Sequence, residues 1–278
     1  MNRQLKVAIL DMYNGAANEG MRCIKTIAGR FVAQDDIVGQ YDIFDVRQKN
    51  EVPDLSYDVF IGSGGPGNPV PVGEAWEQSF FGLLDQIKAH NEQADEGNKK
   101  YLFLICHSFQ MAAHHWALGT VCKRRSTSFG IFPMSRTRAG QSEPFFEDLP
   151  EKFFAVDSRD YQLIEPNTAN LKNIGAKVLC IEKARPHVNL DRAVMAIRFT
   201  AEIFGTQFHP EADAEGMLRY FEKDEKRDAI IANHGLKKYN DMVTSLQDPD
   251  KISLTESVIL PTFLNQAAEQ LLGVYEFA

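Results

Sequence analysis

A chain of 278 residues can hold one large α/β domain or two small ones, and 44% hydrophobic against 24% charged residues suits a globular protein with a sizeable core. A net charge of −8 and a pI near 5.4 argue against a nucleic-acid partner, which would need clustered Lys and Arg; the one basic cluster, Lys123-Arg124-Arg125, reads as a solvated loop. No stretch approaches the ~18 apolar residues of a membrane span, so no membrane partner is expected. The N-terminus runs into an apolar strand without the features of a secretion signal. The four cysteines, Cys23, Cys106, Cys122 and Cys180, show no zinc-type spacing. They read as reduced thiols of a cytoplasmic protein, one of them a candidate nucleophile.

In chain order, residues 5–10 form the first apolar run of strand length. Met21, Ile24, Ile27 and Phe31 follow at helical spacing after a cap at Asn18. Residues 41–46 and 58–62 read as two more strands. A helix then presents Trp76, Phe80, Leu83, Leu84 and Ile87 on one face. Residues 101–106 are an unbroken apolar run, suited to a central parallel strand buried on both faces, and lead into a helix carrying Phe109, Ala112, Ala113 and Trp116. This alternation is the mark of βαβ units and a parallel sheet.

From about residue 128 to 208 short β-type stretches (130–134, 153–156, 177–181, 194–199 and 203–208) replace the helices, predicting mixed or antiparallel sheet at the edge of the same domain. A helix is expected around 216–221, followed by the charge run 222–228, which reads as a solvated face. The last fifty residues look helical, with Leu264, Ala267, Ala268 and Leu271 forming a stripe after Pro261.

Three features carry chemistry. The turn Gly62-Ser63-Gly64-Gly65-Pro66-Gly67-Asn68-Pro69 follows a strand and allows close approach to the main chain; no Gly-Lys-Ser/Thr follows, so it is not a Walker A loop. Cys106 lies at a strand-to-helix junction, where a sharp turn lifts a nucleophile out of the sheet and leaves the next backbone N–H free for an oxyanion. A lone cysteine is nonetheless often a packing residue. The segment Phe208-His209-Pro210-Glu211 ends the last strand. Alternate residues of an extended chain project the same way, so Glu211 can orient one ring nitrogen of His209 and leave the other for a nucleophile. His114 and His115 lack partners at ligand spacing and read as helix-surface residues, so no metal is expected.

Together, Gly64-Gly65-Pro66-Gly67, Ile105-Cys106-His107-Ser108-Phe109-Gln110 and Gly205-Thr206-Gln207-Phe208-His209-Pro210-Glu211 resemble the class I glutamine amidotransferases, most of all the glutaminase domain of GMP synthase. The resemblance spans roughly residues 5–220. It implies a flavodoxin-like α/β amidotransferase domain with a mixed β-sheet, here over residues 1–222, with 223–278 as a helical C-terminal extension. It implies a Cys-His-Glu triad with Cys106 as nucleophile, His209 as acid/base and Glu211 as orienter. It further implies oxyanion-hole N–H groups from Gly65 and His107, and substrate contacts from Gln110 and the backbone near Gly67.

No cofactor is implied. The expected partner is L-glutamine or another γ-glutamyl compound. The ammonia acceptor is expected on a separate synthase polypeptide, or there is none, since the chain is too short for an ATP-using synthase domain beside this one. Alternatives are a free-standing γ-glutamyl hydrolase or transferase, or a non-catalytic regulatory protein on the same fold. Leu104 and Ser108 replace the two glycines usual around the nucleophile. Asp157-Ser158-Arg159-Asp160 lacks the His of the corresponding Ser-His-Gly-Asp-like segment.

Overall fold

The computed structural model describes residues 3–16, 18–187 and 189–273. The first half alternates as its sequence periodicity predicts: β1 (Leu5–Asp11), α1 (Glu19–Val32), β2 (Gly39–Asp45), a short α2 (Val46–Lys49), β3 (Val59–Gly62), α3 (Ala75–Gln93), β4 (Tyr101–Ile105) and α4 (His107–His115). Then come β5 (Thr120–Pro133), β6 (Ser135–Arg136), α5 (Arg138–Gln141), β7 (Phe154–Ile164), α6 (Thr168–Asn173), β8 (Lys177–Ile181), β9 (Val194–Arg198) and β10 (Ile203–Thr206). Four helices close the chain: α7 (Ala214–Glu222), α8 (Asp224–His234), α9 (Leu236–Leu246) and α10 (Ile252–Leu272).

The main sheet runs β2-β1-β3-β4-β10-β9-β8-β6. Its first five strands are parallel; β9, β8 and β6 extend it antiparallel. The parallel part has the doubly wound order that leaves ligand crevices at the carboxyl ends of the strands. Cys106 and His209 follow the carboxyl ends of the neighbouring strands β4 and β10.

The period of two explains the layering. Val7, Ile9, Val59, Ile61, Phe103 and Ile105 face one core, with α1 and α10. Ala8, Leu10, Phe60, Leu102 and Leu104 face the other, with α3 and α4. Because β3 and β4 are covered on both faces, every residue in them is buried.

The structure corrects the sequence reading in three places. The stretches at 130–134 and 153–156 belong to two long strands, β5 and β7, which pair as a separate two-stranded ribbon rather than at the edge of the main sheet. Their pairing slips between Lys123 and Ser128, so the basic cluster lies on β5, and Arg124 turns inward to Glu182 at 3.2 Å. The C-terminal stripe does not begin after Pro261: α10 passes straight through the proline, with Ile252, Ile259 and Leu260 buried before it and Phe263 to Leu271 after it. A proline inside a helix costs about 3 kcal/mol, but burial on both sides offsets it. Phe263 is wedged edge-on against Phe103 and Phe145, with ring centroids at 5.2 and 5.7 Å. A third core joins β5 and β7 to Phe221, Ile230, Met242 and Leu246 of the helices after β10.

Candidate active site

Cys106 has φ +48° and ψ −94°. A side-chain-bearing residue pays strain of about 1–3 kcal/mol in such a region, and its neighbours must hold it there. Here they do. The Cys106 N–H donates to Thr206 O at 2.7 Å, while its carbonyl accepts the Gln110 N–H at 2.9 Å, the first turn of α4. Ser108, standing where a glycine is usual, makes its own contribution. Its hydroxyl accepts from the Ile105 N–H at 2.9 Å and lies 2.8 Å from Gly62 O, pinning β4 to β3 below the turn. Leu104, the other replacement, packs next to Gly62; a Cβ on Gly62 would come within 3.0 Å of it, so the pair leaves no room for a side chain on β3 there.

The His209 backbone is fastened by its N–H to Val156 O on β7, at 2.9 Å. Its Nδ1 lies 2.8 Å from Glu211 Oε1, and the ring and Cys106 line the same cavity. With Nδ1 held by the carboxylate, the other ring nitrogen is the one left for sulfur. Burial works against a charge on this ring. The Glu211 carboxylate and the Cys106 sulfur outweigh it and hold the His209 imidazolium well above the ordinary histidine range. Glu211 is fully buried, and its second oxygen has no partner among the described residues.

The glycine-rich turn closes the site. A Cβ on Gly64 would stand 2.9 Å from the His209 ring and 3.1 Å from the Tyr13 hydroxyl. One on Gly65 would stand 2.3 Å from the carbonyl oxygen of Met12. Neither position tolerates a side chain. Gly67 has φ +93°, open to glycine alone at low cost. Arg47 clamps this turn through Met12 O at 3.2 Å and Pro66 O at 2.6 Å. Gly65, Gly67, Cys106, His107, Gln110, His209 and Glu211 all line one cavity of about 360 Å³. The N–H groups of Gly65 and His107, the latter the first residue of α4, have no partner among the described residues.

The His107 side chain is buried, and burial followed by Arg47 pushes its pKa down to about 3. A ring so hard to protonate is a poor base. Gln110 reaches the cavity, but its amide donates to Gln207 Oε1 at 2.8 Å, and Gln207 in turn lies 3.5 Å from Cys106 Sγ. Gln207 was assigned no role from sequence, although the alternation Gln207, His209, Glu211 marks it. Ser158, in the segment without the histidine, brings its carbonyl to 3.8 Å from Cys106 Sγ, while Arg159 is buried in an ion pair with Asp157 at 2.8 Å. Tyr13 and Cys23 also line the cavity and were not singled out from sequence. Burial pushes the Cys23 thiol up to about 12, which leaves it protonated and inert.

A family model for class-I glutamine amidotransferases matches residues 37–225. The chain belongs to that family. No curated protein gives a significant match. Among solved structures, a glutamine amidotransferase from Thermotoga maritima superposes with a TM-score of 0.67 at 14% identity, over 95% of this chain and 98% of that one. The glutaminase domain of a Trypanosoma brucei CTPS with bound acivicin gives 0.58 at 12% identity, over 99% and 96%. A GMP synthase-type protein from Thermoplasma acidophilum gives 0.51 at 18% identity, over 89% and 98%. At such identities the likeness is one of fold. The amidotransferase fold thus holds Cys106, His209 and Glu211 together at the carboxyl end of its sheet.

Proposed function

We propose that the chain hydrolyses a γ-carboxamide, that of glutamine, through a thioester on Cys106. The observation that carries this reading is that Cys106 and the hydrogen-bonded pair His209–Glu211 line one cavity, beside a turn that excludes side chains. Cys106 Sγ attacks the amide carbon, and the carbonyl oxygen takes the negative charge between the N–H groups of Gly65 and His107. The intermediate collapses, His209 gives its proton to the leaving nitrogen, and ammonia departs. A water then attacks the thioester as His209 takes its proton; the C–S bond breaks, the proton passes to sulfur, and glutamate leaves. No redox step or further co-reactant is required.

Glutamine is supported by the family and by the fold shared with a glutaminase domain. The ammonia either passes to a separate synthase polypeptide, which a GMP synthase-like glutaminase would require, or is released. The four unpaired cysteines fit a reducing, cytoplasmic setting, and no described helix is long and apolar enough to cross a membrane.

One observation favours a second reading: the cavity continues from Cys106 past Tyr13 to Glu19, Cys23, Asp213 and Tyr220. This leaves room for a leaving group larger than ammonia, as in a γ-glutamyl hydrolase or transferase. An assay of ammonia released from glutamine, run beside γ-glutamyl dipeptides, tests both. The proposal expects ammonia from glutamine with wild type and none with Cys106→Ala. Equal release by the two proteins overturns it; cleavage of the dipeptides alone selects the second reading.

A further inference from the structure

Behind the β5–β7 ribbon lies a second cavity, of about 200 Å³, which shares only Thr127 and Phe129 with the candidate active site. Its lining is unusual for a protein of net charge −8. Arg124, Lys183, Arg185 and Lys238 all face it, against the carboxylates of Asp157 and Glu182.

Those two carboxylates are already committed. Glu182 takes Arg185 at 2.8 Å, Arg124 at 3.2 Å and Arg159 at 3.3 Å, while Asp157 takes Arg159 at 2.8 Å and the Ser128 hydroxyl at 2.7 Å. Five cations therefore share two acids. Lys183 and Lys238 make no ion pair with a described residue; their ammonium groups lie 5.1 and 4.7 Å from the centroid of one ring, Phe132. Two like charges on one aromatic ring repel each other, and burial followed by Lys183 lowers the pKa of Lys238, with Asp241 only partly opposing. Lys183 is exposed and Lys238 half-buried, and both ammonium groups are gathered over the same ring.

We propose that this cavity is a binding site for a small phosphate-type dianion, either inorganic phosphate or the phosphate group of a small ester, held between Lys183 and Lys238 and against Arg185. The volume lies below the roughly 300–1,000 Å³ of pockets for drug-sized ligands, which limits the occupant to a small molecule. Lys238 comes from α9, so the helices beyond the family match complete the site. The site is distinct from the one at Cys106: Cys106, His209 and Glu211 line only the first cavity, and Lys183, Arg185 and Lys238 only the second.

The test is a calorimetric titration of the full chain with inorganic phosphate at constant ionic strength, using chloride as the control. Wild type should bind with saturation. Lys183→Met with Lys238→Met should weaken binding by about a hundredfold, since each lost charge-assisted contact is worth about tenfold. Lys88→Met, on the far helix α3, should change nothing. Glycerol 3-phosphate binding more tightly than phosphate would identify an ester as the occupant, and equal affinity would identify the free ion. The proposal is overturned if phosphate shows no saturation over chloride. It is equally overturned if the double variant binds as wild type does, or if alkylation of Cys106 abolishes the binding.

Discussion

Acid sensitivity should be written into His107. The ring is buried beside Arg47, and its pKa in the folded protein is about 3 against an ordinary 6.5. Between those values the unfolded chain binds a proton that the folded one refuses, so stability rises with pH across that window and is lost on acidification. Moving from about pH 7.5 to about pH 5 protonates most unfolded copies and almost no folded ones, a cost of about 2 kcal/mol from this residue alone. His107→Gln keeps the size and polarity but cannot titrate. The measurement is urea unfolding of wild type and variant at both pH values, with equal m-values as the check that the same transition is followed. The variant should lose about 2 kcal/mol less than wild type on acidification, whatever its absolute stability. Parallel losses in the two proteins would refute the reasoning. The same variant should keep activity within about tenfold, because only the His107 backbone N–H is used; a loss of 10²–10⁴-fold, typical of a missing acid/base group, would make the ring the base.

Glu211→Gln removes the charge that holds the His209 imidazolium. Ammonia release should fall by about 10²-fold or more, with a lower histidine pKa visible by NMR of the ring protons; an unshifted pKa would contradict the coupling. Gly65→Ala must displace the loop, because its Cβ would meet the Met12 carbonyl at 2.3 Å. A drop of about 10²–10³-fold in kcat with little change in Tm is expected, and wild-type kinetics would refute the role of that turn. Phe263→Ala empties a site ringed by Tyr101, Phe103 and Phe145 and should cost about 3–5 kcal/mol in chemical denaturation. A cost below about 1 kcal/mol would mean that α10 is dispensable to the core.

The parallel half of the fold was legible because its strands are short, apolar and separated by strongly periodic helices. Residues 5–10 and 101–105 are apolar runs of strand length and form buried strands, and Asn18 does cap α1. The pairing of Glu211 with His209 was legible because alternation along an extended segment places the two side by side. The ribbon was not. Lys123 to Ser128 is charged and polar, and it lies within β5 because the segments on either side of it pair with β7, not because of local propensity. Helix α10 was half hidden for a similar reason: a proline stops a helix in isolation, whereas apolar burial on both sides carries this one through. Arg159, Glu182 and Lys238 lie far apart in sequence, and no spacing rule could announce that the fold gathers their charges.

Covalent capture tests the central claim most directly. A glutamine-like diazoketone, which alkylates an activated thiol in a glutamine pocket, is incubated with the protein, and its attachment is mapped by mass spectrometry of the intact chain and its peptides. The account predicts one label per chain, on Cys106, slowed by excess glutamine and absent from His209→Ala. Cys23 lines the same cavity but has its thiol pushed up to about 12, so it should stay unlabelled. Labelling that ignores glutamine, or that falls on Cys23 while Cys106 remains free, would contradict the assignment of Cys106 as the nucleophile.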